Sequence, residues 1–123
     1  MAALTLEQVE DLLQLFTDKK AKELAEAFAE DAVFSDPFFP EPEYHGREAI
    51  QAALNFLFKN IMQTPSFTPL NYWVSEFSCA VEVETYHVLF NRSTLHFPQV
   101  IVLESEEDKV VRWQAYLPFP PTQ

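Results

Sequence analysis

The stretch "AFAEDAVFSDPFFPEPEYHGREAI", residues 27–50, passes from a short apolar strand through a proline-rich loop into a helix. "DAVFSD" alternates as a strand does, which sets Ala32, Phe34 and Asp36 on one face, away from Val33 and Ser35. Pro37, Pro40 and Pro42 then make the chain irregular, because each removes an amide donor and restricts the residue before it. Gly46 is the sole glycine, and the helix expected after it buries Ile50, Ala53, Leu54, Leu57 and Ile61. Asp36 stands between the strand and two phenylalanines. A carboxylate buried without partners costs several kcal/mol or is driven to a higher pKa. Asp36 is therefore either a turn former bonded to local amides, as aspartate before a loop commonly is, or an acid–base group in an apolar pocket.

Upstream, Thr5 and Gln8 have capping-box spacing, and Leu6, Val9, Leu12, Leu13 and Phe16 recur at helical period, which predicts a helix over 5–17. Asp18 is the expected cap of a second helix carrying the stripe Ala21, Leu24, Ala25 and Phe28. Downstream of Ser66 the chain reads as four strands, "TPLNYWVSEF", "AVEVETYHVLF", "TLHFPQVIVLES" and "KVVRWQAYLPF". Turn-like "SCA", "NRS" and "EEDK" separate them, so consecutive antiparallel pairing is expected. Three helices and a short strand followed by a four-strand meander make the fold class α+β.

Length and composition bound the rest. A chain of 123 residues fits a single domain, and burying roughly two thirds of its unfolded surface gives a core without disulfides. The aromatic share of 15%, with 12 Phe, supplies either a core or the wall of a ligand cavity. A net charge of −11 argues against nucleic acid and anionic membranes as partners. Cys79, the only cysteine, falls in an expected hairpin turn and has no partner for a disulfide. "MAALTLEQVEDLLQLF" has neither the basic start nor the apolar run of a signal peptide, so the expected location is cytoplasmic. His45, His87 and His96 lack metal-ligand spacing, one glycine cannot make a phosphate loop, and no metal or cofactor is expected.

"AFAEDAVFSDP" followed by "HGREAI", with "KVVRWQAYL" near the end, resembles the ketosteroid isomerase and SnoaL-like polyketide cyclase families of the nuclear transport factor 2-like superfamily. The resemblance spans nearly the whole chain. It implies a cone-shaped, curved mixed or antiparallel sheet wrapped around three N-terminal helices (nuclear transport factor 2-like, cystatin-like), with an apolar pocket at the open end and often a dimer. In ketosteroid isomerases the general base is an aspartate just before the proline of this motif, the position of Asp36. The oxyanion tyrosine of that family falls on Leu12 here, and its partner acid, two residues after the strand proline Pro98, on Val100. Neither side chain donates a hydrogen bond, and losing such a donor costs about 3–4 kcal/mol in the transition state, which argues against classical ketosteroid isomerase activity.

The resemblance makes Asp36 the candidate base or acid; strand alternation adds His87, with His96 second, as weaker inward candidates. A histidine alone on an apolar face is more often structural. The candidate ligand-lining set is Phe16, Phe34, Phe38, Phe39, Tyr44, Phe56, Val100, Trp113 and Ala115. On the last strand Val111, Trp113, Ala115 and Leu117 are expected to face the interior. On "AVEVETYHVLF", Val81, Val83, Thr85, His87 and Leu89 alternate with Glu82, Glu84, Tyr86, Val88 and Phe90. Either a dimer partner covers the second set, or Glu84 and Tyr86 face the pocket; the first arrangement is preferred. Two functions follow. One is cofactor-free proton transfer on a small hydrophobic carbonyl compound, by isomerisation, cyclisation or dehydration. The other is a non-catalytic ligand-binding or protein-interaction module of the same fold.

Overall fold

The computed structural model describes residues 3–118. Thr5 caps α1 (Leu6–Thr17): its hydroxyl accepts the Gln8 N–H at 3.1 Å, and the Gln8 side chain accepts the Thr5 N–H at 2.9 Å. Val9, Leu12, Leu13 and Phe16 form the buried stripe of this helix, as its period requires. Asp18 does not cap the second helix. It closes the first, its N–H donating to the Gln14 carbonyl at 2.8 Å, and its carboxylate accepting from the Gln14 side chain at 3.0 Å. Lys19, at φ 59°, turns the chain, and α2 (Ala21–Glu26) starts from Lys20 without a side-chain cap.

Phe28, expected on that helix, instead opens β1 (Phe28–Ser35). On β1, Ala32 and Phe34 are fully buried. β2 (Tyr44–His45) pairs with it antiparallel, Phe34 against Tyr44, and the Gly46 N–H donates to the Ala32 carbonyl at 2.8 Å. Gly46 has φ 93° and ψ 150°, a conformation that a side chain strains. From it springs α3 (Arg47–Asn60), and the Arg47 Nε donates to the Phe28 carbonyl at 3.0 Å, tying the helix start to the start of β1. Ile50, Ala53, Leu54 and Leu57 are buried as expected, but Ile61 lies past the helix end and is exposed; Phe58 takes the inward place.

The strands β3 (Met62–Thr64), β4 (Phe67–Val74), β5 (Ser78–Leu89), β6 (Thr94–Glu106) and β7 (Lys109–Tyr116) follow. They join β1 and β2 in one curled seven-stranded sheet, in the order β2-β1-β7-β6-β5-β3, with β4 also on β5. The meander expected from the sequence is there, and β1 lies parallel to β7 while every other pair is antiparallel. The fold is therefore α+β with a mixed sheet. One continuous cluster fills the concave side, joining Leu12 and Phe16 of α1 and Leu54 of α3 to Phe34, Val83, Ile101 and Trp113 of the sheet. No helix among the described residues is long and apolar enough to cross a membrane.

Alternation holds along β5 and β6, where Val81, Val83, Thr85 and His87, then Phe97, Gln99, Ile101, Leu103 and Ser105, are buried. It slips on β7. A register shift between Glu104 and Ser105 puts Val110, not Val111, in the core, before Trp113 and Ala115 resume the inward face. Cys79 lies within β5 rather than in a turn; it is buried, and that burial pushes its thiol up to about 11.

Candidate functional site

β1 delivers Asp36 to the inner side of the sheet. Two residues beyond the buried Phe34, it is the first residue after the strand and opens the proline-rich loop. Its Oδ1 accepts the Phe38 N–H at 3.0 Å, and its carbonyl accepts the Phe39 N–H at 3.0 Å. Asp36 is thus a turn former. The same carboxyl is withdrawn from water even though part of the residue's surface stays accessible. Burial pushes its pKa up to about 6, against the Phe38 amide, which favours the ionised form. The turn-forming bond and the raised pKa coexist, since one amide bond does not replace the lost hydration.

Aromatic rings on either side of Asp36 in the chain pack on one another and on the sheet. Phe34 packs edge-on against Phe39 at 4.9 Å and tilted against Trp113 at 5.5 Å. Phe38 meets Phe97 of β6 at 5.0 Å, so the loop after Asp36 closes over the inner face of the sheet. Tyr44 fixes the far end of that loop: its ring lies 5.9 Å from Phe39 and its hydroxyl accepts the Glu41 N–H at 3.1 Å. Ser35 on the outer side donates to the Pro42 carbonyl at 2.9 Å. Phe16 stacks on Trp113 at 6.4 Å, and Ala115 is buried beside it on β7.

His87 points inward, as β5 alternation requires. It stacks on Phe16 at 6.3 Å and meets Phe67 at 5.1 Å and Phe97 at 6.4 Å, both edge-on. The Ser66 N–H donates to its Nδ1 at 3.1 Å, which leaves the proton of the neutral ring on Nε2. Burial lowers its pKa to about 4, opposed by a backbone hydrogen bond at Tyr86, so the ring is neutral at physiological pH. Among the described residues no hydrogen bond joins His87 to Asp36; the His87 ring meets Phe97, which in turn meets Phe38.

Three expected site residues lie elsewhere. His96 sits on the outer face, bonded to Glu84 at 3.0 Å and 5.4 Å from the Tyr86 ring. Val100 also faces outward, between Glu82 and Tyr116, because the odd-numbered residues of β6 are the inward ones. Phe56 lies off the buried stripe of α3 and is 48% exposed. Glu84 and Tyr86 share the outer face, as preferred from the sequence. His45, on β2, is exposed and paired with Glu43 at 3.0 Å.

Gln99 is the interior residue that sequence reasoning missed. It is buried, and its Nε2 donates to Thr85 Oγ1 at 2.8 Å. Counting from Pro98 drew attention to Val100, whereas the apolar alternation Phe97, Ile101, Leu103 already put position 99 inside. The larger clefts lie away from this interior. One of about 550 Å³ borders Glu30, His45 and Arg47, and one of about 420 Å³ lies at the β4–β5 hairpin by Phe77 and Glu104. Among the described residues no three His, Cys, Asp or Glu side chains converge as metal ligands would.

A curled mixed sheet with three helices is the nuclear transport factor 2-like fold. Residues 9–113 match the SnoaL-like domain, and the chain belongs to that family. No curated protein sequence matches it. It is similar to a ketosteroid isomerase-fold protein from Catenulispora acidiphila in complex with trimethylamine, at 18% identity and a TM-score of 0.80, over 92% of this chain and 86% of that one. An LEH-like epoxide hydrolase from M. tuberculosis superposes with a TM-score of 0.77 at 13% identity, over 91% and 80%. The epoxide hydrolase/cyclase-like enzyme SalBIII, of pyran ring formation in salinomycin, superposes with a TM-score of 0.76 at 19% identity, over 90% and 88%.

Proposed function

We propose that the protein binds a small hydrophobic carbonyl compound on the inner side of the sheet, and that Asp36 moves a proton on it without a cofactor. The observation that carries this reading is the withdrawn carboxyl of Asp36, which burial pushes up to about 6 and which opens a loop whose Phe38 and Phe39 pack on Phe97 and Phe34. Such a group is ionised at neutral pH yet basic enough to take a proton from a carbon acid, and protonated often enough to return it. Isomerisation, cyclisation and dehydration all use that step. Leu12 and the outward Val100 offer no hydrogen bond to an enolate, so the reading does not extend to classical ketosteroid isomerase chemistry.

The test is deuterium uptake at the carbon next to the carbonyl of cyclohexanone and acetophenone, followed by proton NMR. The wild-type protein is expected to accelerate uptake, and Asp36→Asn to lose about 10²–10⁴-fold of that acceleration. Uptake at the buffer rate with the wild type, or equal uptake with the variant, overturns the reading. A second reading, a binding module without chemistry, draws on the neighbour that holds trimethylamine: an ammonium group suits a carboxyl and aromatic faces. Saturable binding of trimethylamine without proton exchange would favour it.

The outer sheet face is proposed as a homodimer interface. Trp73, Ala80 and Val102 form one row across β4, β5 and β6, and Glu82, Val100 and Tyr116 the next across β5, β6 and β7. Trp73 and Tyr116 are each more than half exposed in the single chain. Sedimentation equilibrium should give twice the chain mass, and Tyr116→Glu should return it to one; a wild-type monomer at micromolar concentration counts against the dimer.

A further inference from the structure

Two polar atoms on the inner side of the sheet have no hydrogen-bond partner among the described residues, Gln99 Oε1 and Trp113 Nε1. Their residues are 5% and 1% exposed. A buried polar atom without a partner is a free-energy cost that an apolar residue of similar size would avoid, so each asks for an occupant. Exchanging the oxygen and nitrogen of the Gln99 amide does not remove the problem. With Nε2 on Thr85 the free end accepts; with Oε1 on the Thr85 hydroxyl the free end donates. The Trp113 indole only donates.

Strand register relates these groups to Asp36. Trp113 pairs with Phe34 on one side and Leu103 on the other. Two residues further along each strand come Asp36, Ala115 and Ile101, and two further along β6 comes Gln99, opposite Val83. By this count Asp36, the first residue after β1, falls at the level between Trp113 and Gln99, beside the apolar Ala115 and Ile101.

We propose that the Gln99 amide and the Trp113 indole N–H are hydrogen-bonding stations that read a neutral hydroxyl or carbonyl oxygen on the small apolar molecule facing Asp36. The proposal rests on the reading of this interior as a ligand site and names the ligand class. Neither station carries charge to offset an anion, and Asp36 repels a carboxylate, so acids are excluded. A hydrocarbon leaves both stations unpaired, and rejection of a molecule that lacks the expected polar group is the stronger kind of selectivity. Phe38, whose N–H bonds Asp36, is in ring contact with Phe97, and these are the side chains that part for such a molecule.

The test follows the Trp113 indole N–H by ¹⁵N–¹H NMR, with Trp73→Phe to assign the two indoles, while acetophenone, benzyl alcohol and toluene are titrated in turn. The expected result is a saturable downfield shift of the Trp113 proton with the two oxygenated probes and not with toluene. Gln99→Met is expected to weaken the oxygenated probes about tenfold and to leave toluene within about twofold. Retained toluene binding shows that the variant's interior is intact, and the wild-type shift needs no variant at all. An indole that answers none of the probes, as trapped water only would give, overturns the proposal. So does a variant that treats toluene and acetophenone alike. Deuterium uptake in wild type against Asp36→Asn judges the Asp36 reading separately, so either can fail alone.

Discussion

Asp36 and His87 are buried groups with opposite proton demands. Asp36, raised from 3.8 to about 6, holds a proton in the folded chain over a range where the unfolded chain has lost it. Its contribution to stability is fully present below about pH 3.8 and is lost as pH rises through about 6. His87, lowered from 6.5 to about 4, does the reverse: its contribution is present above about pH 6.5 and is lost as pH falls through about 4. Between those limits the two slopes, each about 1.4 kcal/mol per pH unit, largely cancel. Asp36→Asn removes one of them. Urea denaturation should show the variant gaining on the wild type by about 2–3 kcal/mol between about pH 4 and pH 8. A gap that does not widen with pH contradicts the burial of this carboxyl. At this scale the sequence located Asp36 and turned His87 inward through strand parity alone. It did not give His87 its role, because the Ser66 amide that occupies Nδ1 comes from a neighbouring segment, 21 residues earlier in the chain.

Among the elements, helix faces and long strands were legible because a repeat of 3.6 or 2 survives in the order of residues. Their ends were less so. Asp18 has the composition of a cap, but Lys19 takes the left-handed turn and sends the chain on before a helix starts. Val110 displaced Val111 because an irregular register is a property of two paired strands, and neither sequence carries it alone. The two-residue β2 and three-residue β3 are too short for alternation to register. Gly46 is the junction that these elements share. Its N–H closes the turn onto Ala32, and its conformation starts α3 at the angle that brings Arg47 onto the Phe28 carbonyl. A Cβ there would find room, 3.5 Å from the Glu30 carbonyl oxygen, so the cost of Gly46→Ala is conformational. Thermal or urea unfolding should show a loss of about 1–3 kcal/mol; a neutral substitution would mean that the junction relaxes.

In the whole molecule, the sheet has two faces with different tasks. The inner one collects rings, a carboxyl, a histidine and a glutamine; the outer one exposes Trp73, Tyr86 and Tyr116 among glutamates. The α+β class and the curled sheet were legible from the order of elements and from the motif around Asp36. The parallel contact of β1 with β7 was not, since it joins segments some 80 residues apart with no local signal. Val100 was misplaced for a related reason: counting from a motif fixes position along a strand, while only the partner strands fix which side faces the core.

The claim that organises all of this is a carboxyl held away from water on the inner side of the sheet. The direct measurement is the pKa of the Asp36 side chain by carbon-detected NMR titration, with Asp36→Asn to assign the signal. The account predicts a midpoint near 6. A midpoint at or below the ordinary carboxylate value of about 3.9 would make Asp36 a solvated turn residue and leave the proton-transfer reading without its base.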